Sequence, residues 1–529
     1  MDKTTELKSL YTAGRISRRG FMEGALALGM TVAAATAFTS EADAAKPKRG
    51  GHMRVGQGHG STTDSMDPAV FENGFATLMG FAIHGYLTEI DSNGKLAPSL
   101  AESWDADASA KKWTFKLRDA EFHNGKPITA NDVIASLEHH RGEDSKSGAK
   151  PLLSAITKIN AADKKTVEIE LEGGNADFPF VLTDYHLAIG KADGDKVNWL
   201  DAGNHSGGYV MQHYEPGVRA EYERANNFWA DDRAFLDSGE QLTIADVAAR
   251  VSAITTGEVD VIDRPDLKTL RLLKRRKNLR VDETTGTQHY TFPMLTDQKP
   301  FDDNNVRLAL KYAVDRQALV DKVLYGYGLV ANDSPIAPAN RYFDGSIEQK
   351  SYDPDKAKFY AKKSGVDNIT VTLSSADAAF SGAVDAAVLY AEAAKKAGIT
   401  INVDRVPNDG YWSNVWLKKP WCACYWGGRP TEDQMFSTAY ATGVPWNDSH
   451  WTNKRFDELL LQGRTELDDK KRAAIYSEMQ QIVSYEGGVV IPMFANYVWV
   501  RDKSVMHHKT MAANWALDGS RAMERWWRA

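Results

Sequence analysis

The chain has 529 residues, 43% apolar and 26% charged, with 2 cysteines and a net charge of −7 from 64 basic and 71 acidic side chains. At roughly 100–200 residues per domain this is a folded protein of about two to four domains, which excludes disorder, a collagen-like repeat and a disulfide scaffold. The negative balance supplies no field toward nucleic acid or anionic lipid, so neither is an expected partner.

The first 44 residues read as an address. Ser17-Arg18-Arg19-Gly20-Phe21-Met22 is a twin-arginine pattern, Ala25 to Phe38 is apolar and rich in Ala and Gly, and Ala42-Asp43-Ala44 offers small residues to a signal peptidase. Together they have the form of a bacterial Tat export signal. The apolar stretch falls short of the about 20 residues that a membrane span needs, and no cysteine near the cleavage site could take a lipid. Residues 1–44 carry five basic and five acidic side chains, so cleavage after Ala44 leaves −7 over 485 residues. A soluble periplasmic protein is expected.

After a short basic linker, His52 to Gln57 reads as a first strand, ending in Gly56-Gln-Gly-His-Gly60 and a polar loop that runs to Asp67. Trp113 to Arg118 and Thr166 to Leu171 alternate with period two, as half-buried strands do. Between them Thr129-Ala-Asn-Asp132 opens a helix through His140. Asn305 to Leu324 places Leu308, Ala309, Tyr312, Ala313, Leu319, Val320 and Val323 on one stripe, which predicts a single amphipathic helix. Strands and helices then alternate: Ile369–Leu373, Ala379–Ala397, Ile399–Val406, Trp421–Trp426, and helices near 431–440, 453–466 and 469–486. That rhythm predicts an α/β fold with a largely parallel sheet in the second half.

Catalytic signatures are missing: the chain has no G-x-S-x-G, H-E-x-x-H, C-x-x-C or G-x-x-x-x-G-K-[ST]. Gly56-x-Gly58-x-Gly60 imitates a dinucleotide fingerprint, but its third Gly is misplaced and no helix follows, so it reads as a strand-end turn. The adjacent pairs His139-His140 and His507-His508 diverge on any regular element and make poor metal ligands. Cys422 and Cys424 lie two apart on a predicted strand, about 6.5–7 Å between Cα atoms, at or beyond the edge of disulfide geometry, and read as small buried apolar side chains. No enzyme, cofactor or metal is expected.

Several stretches together resemble a family signature. They are Leu100-Ala-Glu-Ser-Trp104, Trp113 to Arg118, Phe122-His-Asn-Gly-Lys-Pro-Ile-Thr-Ala-Asn-Asp-Val133, Gly207-Gly-Tyr209, Tyr214-Glu-Pro-Gly217 and Gly257-Glu-Val-Asp-Val261. Pro300-Phe-Asp-Asp303, Val306 to Leu310, Ala313-Val-Asp-Arg316, Tyr352 to Ala357 and Val490-Ile-Pro492 continue it. The match resembles solute-binding protein family 5, the extracytoplasmic peptide-, nickel- and oligosaccharide-binding subunits of ABC importers, and is dipeptide- and oligopeptide-binding protein-like. The resemblance implies a two-lobed periplasmic binding protein-like fold with a large lobe one and a cleft between lobes. Lobe one would be 45–285 with a return of the chain over 489–529, and lobe two 286–488. The crossings would lie near Gly286 to Tyr290 and at Gly487-Gly488, where Gly accepts φ changes cheaply; ordinary turn glycines read the same way. It also implies a small peptide or peptide-like ligand, an inner-membrane ABC permease with cytoplasmic ATPase subunits as partner, and a monomer. The same fold with an opine, nickel chelate, haem or oligosaccharide is the alternative, and an exported hydrolase or oxidoreductase a remote one.

Six of the 14 Trp fall between 412 and 451. Trp416 and Trp421 read as core; Trp412, with Tyr411 beside it, and Trp426 border loop ends where ligands enter α/β folds. Dipeptide-binding relatives carry an Asp shortly after a Trp at this strand end. Here Trp426-Gly-Gly428-Arg429-Pro-Thr-Glu-Asp433 places Arg429 at that position. Two readings stay open: Arg429 takes an anionic group of the ligand, or it pairs with Glu432 or Asp433. The candidate ligand-binding set is therefore Tyr411, Trp412, Trp426, Gly428, Arg429 and Asp433, with His59 and Ser61 from the facing loop and Gln288 and Tyr290 from the crossing.

Overall fold

Apolar and polar side chains alternate through Lys112–Leu117 and Thr166–Leu171, and both are strands. They pair antiparallel in a four-stranded sheet with Ala101–Ala106 and Ile156–Asp163. Trp113, Phe115, Val167 and Ile169 of that sheet share a core with Val133 and Leu137 of the helix Ala130–Glu138. The helix begins where the sequence predicts, because the Asp132 carboxylate accepts from the Thr129 N–H at 2.8 Å and from its hydroxyl at 2.6 Å. The structure is a computed structural model describing residues 3–12, 16–28, 30–31, 35, 46–143, 145, 147–366, 368–408 and 411–529. Half of the apolar stretch of the export signal and all of Ala42-Asp43-Ala44 lie outside the described residues. Arg18–Ala27, which covers the twin-arginine pair, is a helix capped by Ser17. Among the described residues no helix is long and apolar enough to cross a membrane.

The central sheet contains β1 (His52–Gln57), β2 (Tyr209–Glu215), β3 (Arg219–Arg224), β4 (Ser238–Thr243), β5 (Val261–Asp263), β6 (Leu279–Pro293), β7 (Gly328–Val330), β8 (Cys424–Trp426) and β9 (Val489–Asp502). Their spatial order is β2-β3-β4-β1-β5-β9-β6-β8, with β7 also paired to β9. β1 runs parallel to β4 and β5, while β9 and β6 are long antiparallel neighbours.

The second half departs from the expected parallel sheet. Thr370–Ser375 and Thr400–Arg405 are parallel, but β6, β8 and β9 pair antiparallel. The local β-α-β rhythm identified the parallel pair; the partners of β6 lie about 130 to 220 residues away, beyond the reach of any local pattern. The single helix expected over 305–324 is two, Asn304–Ala313 and Arg316–Lys322. Val314 is extended, and Asp315 caps the second helix by accepting from the Ala318 N–H at 3.0 Å. A short carboxylate inside an apolar stripe restarts the helix without moving the stripe off the core. The strand expected over Trp421–Trp426 is regular only at β8; Trp421 and Cys422 make isolated bridges to Met294 and Ser374. Cys422 and Cys424 are buried free thiols.

Buried apolar side chains divide the molecule into two lobes. One set of cores draws its buried members from 53–279 and 498–526, the other from 292–495. The chain passes between them on β6 and β9, side by side in one sheet. Gly286 lies in this passage. Gly487 and Gly488 do not: they precede the outer end of β9, where the Gly488 carbonyl accepts from the Met294 N–H at 2.8 Å. Val490 and Met493 still pack in the second lobe's core, so the return passage falls near Asn496.

Away from the passage the lobes meet again. Asp177, which precedes the Phe178–Val181 helical turn of the first lobe, receives both terminal nitrogens of Arg472 from the second, at 2.8 and 2.5 Å. The two side chains are only 3–4% exposed. Beside them the Ala176 N–H donates to the Arg464 carbonyl at 2.7 Å.

Candidate functional site

Ligands of α/β sheets gather beyond the C-terminal ends of parallel strands. Because β1, β4 and β5 are parallel, Gly58-His59, Ile244 and Arg264 emerge together at one edge of the first lobe. From the second lobe β8 runs the opposite way to β6 and ends in Gly427-Gly428-Arg429. Register brings these ends toward each other. Asp263 stands opposite Trp499, so Arg264 leaves the sheet beside Val498 and Tyr497. Trp426 stands opposite His289, so the segment to Arg429 continues past Gln288 toward Gly286. A Cβ on Gly286 would lie 2.4 Å from the Tyr497 ring, which covers that point. The two strand ends thus converge on Tyr497, at the passage between the lobes.

The passage is itself irregular. Thr285 pairs with Asn496 and His289 with Phe494, leaving Gly286, Thr287 and Gln288 opposite Ala495 alone. Such a bulge bends a strand and leaves ladder groups unpaired. Thr284 Oγ1, Thr287 Oγ1 and His289 Nε2 are buried without a hydrogen-bond partner among the described residues.

Arg429 is half-buried; among the described residues its side chain hydrogen-bonds only the carbonyls of Gly427 and Gly428, at 3.2 and 3.3 Å, and its guanidinium lies 6.0 Å from the centre of the Trp426 ring. The second sequence reading fails, because the carboxylates following it are engaged elsewhere. Glu432 accepts the Tyr342 N–H at 2.7 Å, and burial pushes its pKa up to about 7. Asp433 is buried against Arg464 Nε at 3.1 Å, which takes it out of the candidate set. Asp448, behind the wall, accepts the indole N–H groups of Trp416 and Trp426 at 3.1 and 3.2 Å. Trp426 is thereby fixed as a buried wall residue.

Tyr411 is buried and donates to the Ala423 carbonyl at 2.7 Å, a packing role. Trp412 is 41% exposed, edge-on to Tyr425 at 5.7 Å. Gly428 is obligatory: a Cβ there would lie 1.7 Å from Thr287 Oγ1. Tyr290 is half-buried and stacks on Phe380 at 4.1 Å; burial raises its phenol to about 12, while Arg264 pulls the other way. Gln288 sits in the bulge, half-buried. Across the cleft, His59 Nε2 accepts from Arg264 at 2.8 Å. Burial, then the charges of Arg264 and Arg250, lower this imidazole to about 4, so it is neutral at pH 7. Ser61 turns back into its own loop, bonding Thr63 Oγ1 at 2.7 Å.

Four residues of this place carry no sequence signal: Arg264, Tyr185, Tyr497 and Trp515. Tyr185 lies edge-on to Trp515 at 5.8 Å and is acted on by Arg429. Tyr497 is acted on by both Arg264 and Arg429, while burial raises it to about 12.

With two lobes, two crossing strands and facing strand ends in view, comparison with known proteins is decisive. The family model for bacterial extracellular solute-binding proteins, family 5 (Middle), matches residues 95–448. The chain belongs to that family. It is 25% identical to the periplasmic oligopeptide-binding protein OppA of Escherichia coli K12, over 91% of this chain and 92% of that protein. Among solved structures, the family 5 chain superposes on the ABC transporter substrate-binding protein CtaP of Listeria monocytogenes with a TM-score of 0.78. The two are 22% identical, covering 91% of this chain and 100% of that one. It also superposes on the binding protein AgaA of A. tumefaciens R10, solved with agropinic acid, with a TM-score of 0.72 and 23% identity. That match covers 90% of this chain and 99% of AgaA. This two-lobed periplasmic binding protein fold is the one the motifs imply.

Proposed function

We propose that the protein is the substrate-binding subunit of an ABC importer, taking short peptides or peptide-like solutes and delivering them to an inner-membrane permease with cytoplasmic ATPase subunits. The observation that carries this is the convergence of strand ends from both lobes on Tyr497, beside the two strands on which the chain passes between the lobes. A solute lying there touches both halves, so its binding energy acts on their closure. Lobe one is 45–285 with the chain returning from about 496, lobe two the residues between. Export follows the twin-arginine signal, with cleavage after Ala44 giving a monomeric periplasmic receptor. Its task is reversible binding without turnover.

The test is a thermal-shift screen of the mature protein against a di- to tetrapeptide library. Binding raises Tm in step with ligand concentration, as mass action requires, and mass spectrometry recovers the peptide uncut. Cleaved peptide would make the protein a hydrolase. No shift with any peptide, together with a non-peptide mass retained in native mass spectrometry, would remove peptides as cargo.

A further inference from the structure

Resting on the importer reading, we infer that the cargo is a net-anionic solute with two carboxylate groups, one held by Arg264 of the first lobe and the other by Arg429 of the second. The two guanidiniums stand at the facing strand ends and both act on Tyr497. Among the described residues neither meets a carboxylate within ion-pair distance: Arg264 donates to neutral His59, Arg429 to two carbonyls of its own loop. An arginine charge is permanent, and its planar fork matches a carboxylate in two parallel hydrogen bonds. Half-buried Arg429, with its charge desolvated and no counter-ion, is a site in want of an anion.

The acidic groups around the cleft do not supply that counter-ion. Asp184, the carboxylate that acts on Arg429, accepts at Oδ1 from His186 Nδ1 at 2.6 Å and from the His186 backbone N–H at 3.0 Å. Glu432, Asp433 and Asp448 face the interior of the second lobe. Glu72 is exposed on the first lobe, where it acts on Tyr185. On the second-lobe wall, a peptide's ammonium group therefore finds a cation and aromatic faces. A dicarboxylate finds one fork on each lobe, and filling both joins the lobes. Tyr185, Trp412 and Tyr425 supply flat apolar faces for the carbon skeleton between the two charges.

The experiment is calorimetric titration of the mature protein with the dicarboxylates N-acetyl-L-glutamate and glutarate, against zwitterionic L-alanyl-L-alanine and cationic L-lysyl-L-lysine. The diacids are expected to bind at least tenfold more tightly than the other two, and more weakly as salt screens the charges. Arg264→Gln and Arg429→Gln should each weaken diacid binding at least tenfold, with Arg264→Lys and Arg429→Lys recovering part of it. Melting of the ligand-free variants verifies that they are folded. Binding of dialanine that neither glutamine variant alters would overturn the dianion inference and leave the importer reading standing. Failure of both diacids overturns the inference as well; if the peptide library also fails, the peptide reading falls with it.

Discussion

At the scale of single residues, the cleft depends on side chains that are small or turned away as much as on those that reach in. Gly428 is the clearest case, since the space a Cβ would need is occupied by Thr287. Gly428→Ala should cost about 1–3 kcal/mol by overpacking and displace Arg429 from the cleft. The checks are a lower urea midpoint and weaker ligand binding, with Thr287→Ala recovering part of both in a double-mutant cycle. Losses in the double variant equal to the sum of the two single losses would mean that the two positions do not communicate. Arg429 could be singled out in the sequence because a family motif drew attention to the residues after Trp426. Arg264 could not, because an arginine after Val-Ile-Asp has no local pattern and owes its place to the parallel pairing of β5 with β1.

At the scale of elements, local chemistry was legible and pairing was not. His52–Gln57 and Thr166–Leu171 match their strands residue for residue, because alternation is written in the side chains themselves. The antiparallel pairing of β6 with β9 joins segments some two hundred residues apart, and no window of sequence contains it. A buried histidine cluster between elements was equally invisible. His84 and His205 lie with rings 4.3 Å apart, and His123 and Trp199 border them. Burial depresses the pKa of all three imidazoles, His205 to about 4, so they are neutral in the folded protein. A group whose folded pKa lies below its unfolded value of about 6.5 binds more protons when unfolded. Its contribution is complete above pH 6.5 and is lost as the pH falls toward 4. For His205 alone the loss is on the order of 3 kcal/mol. The urea midpoint should drop steadily from pH 7 to pH 4, and His205→Gln should flatten that slope. A midpoint that stays level over this range would show that the cluster does not control acid stability.

At the scale of the whole molecule, the lobes are held by the crossing strands and, away from them, by Asp177 with Arg472. Removing one partner of a buried ion pair costs about 3–5 kcal/mol, because the other is left charged and unpaired. Arg472 can escape that cost if the lobes separate and water reaches it. Asp177→Asn should therefore raise the radius of gyration of the ligand-free protein in small-angle X-ray scattering, with little change in the urea midpoint. A lower midpoint at constant radius would make the pair a fold-stabilising contact instead. The crossing strands have a mechanical consequence of their own. Two independent linkers would let the lobes twist, slide and bend. Because β6 and β9 are hydrogen-bonded on either side of the bulge, twisting or sliding shears that ladder, while bending strains only Gly286 to Gln288. Opening and shutting is then close to a single angular coordinate. Capture surrenders the freedom of one angle instead of several, and more of each contact's energy survives as affinity.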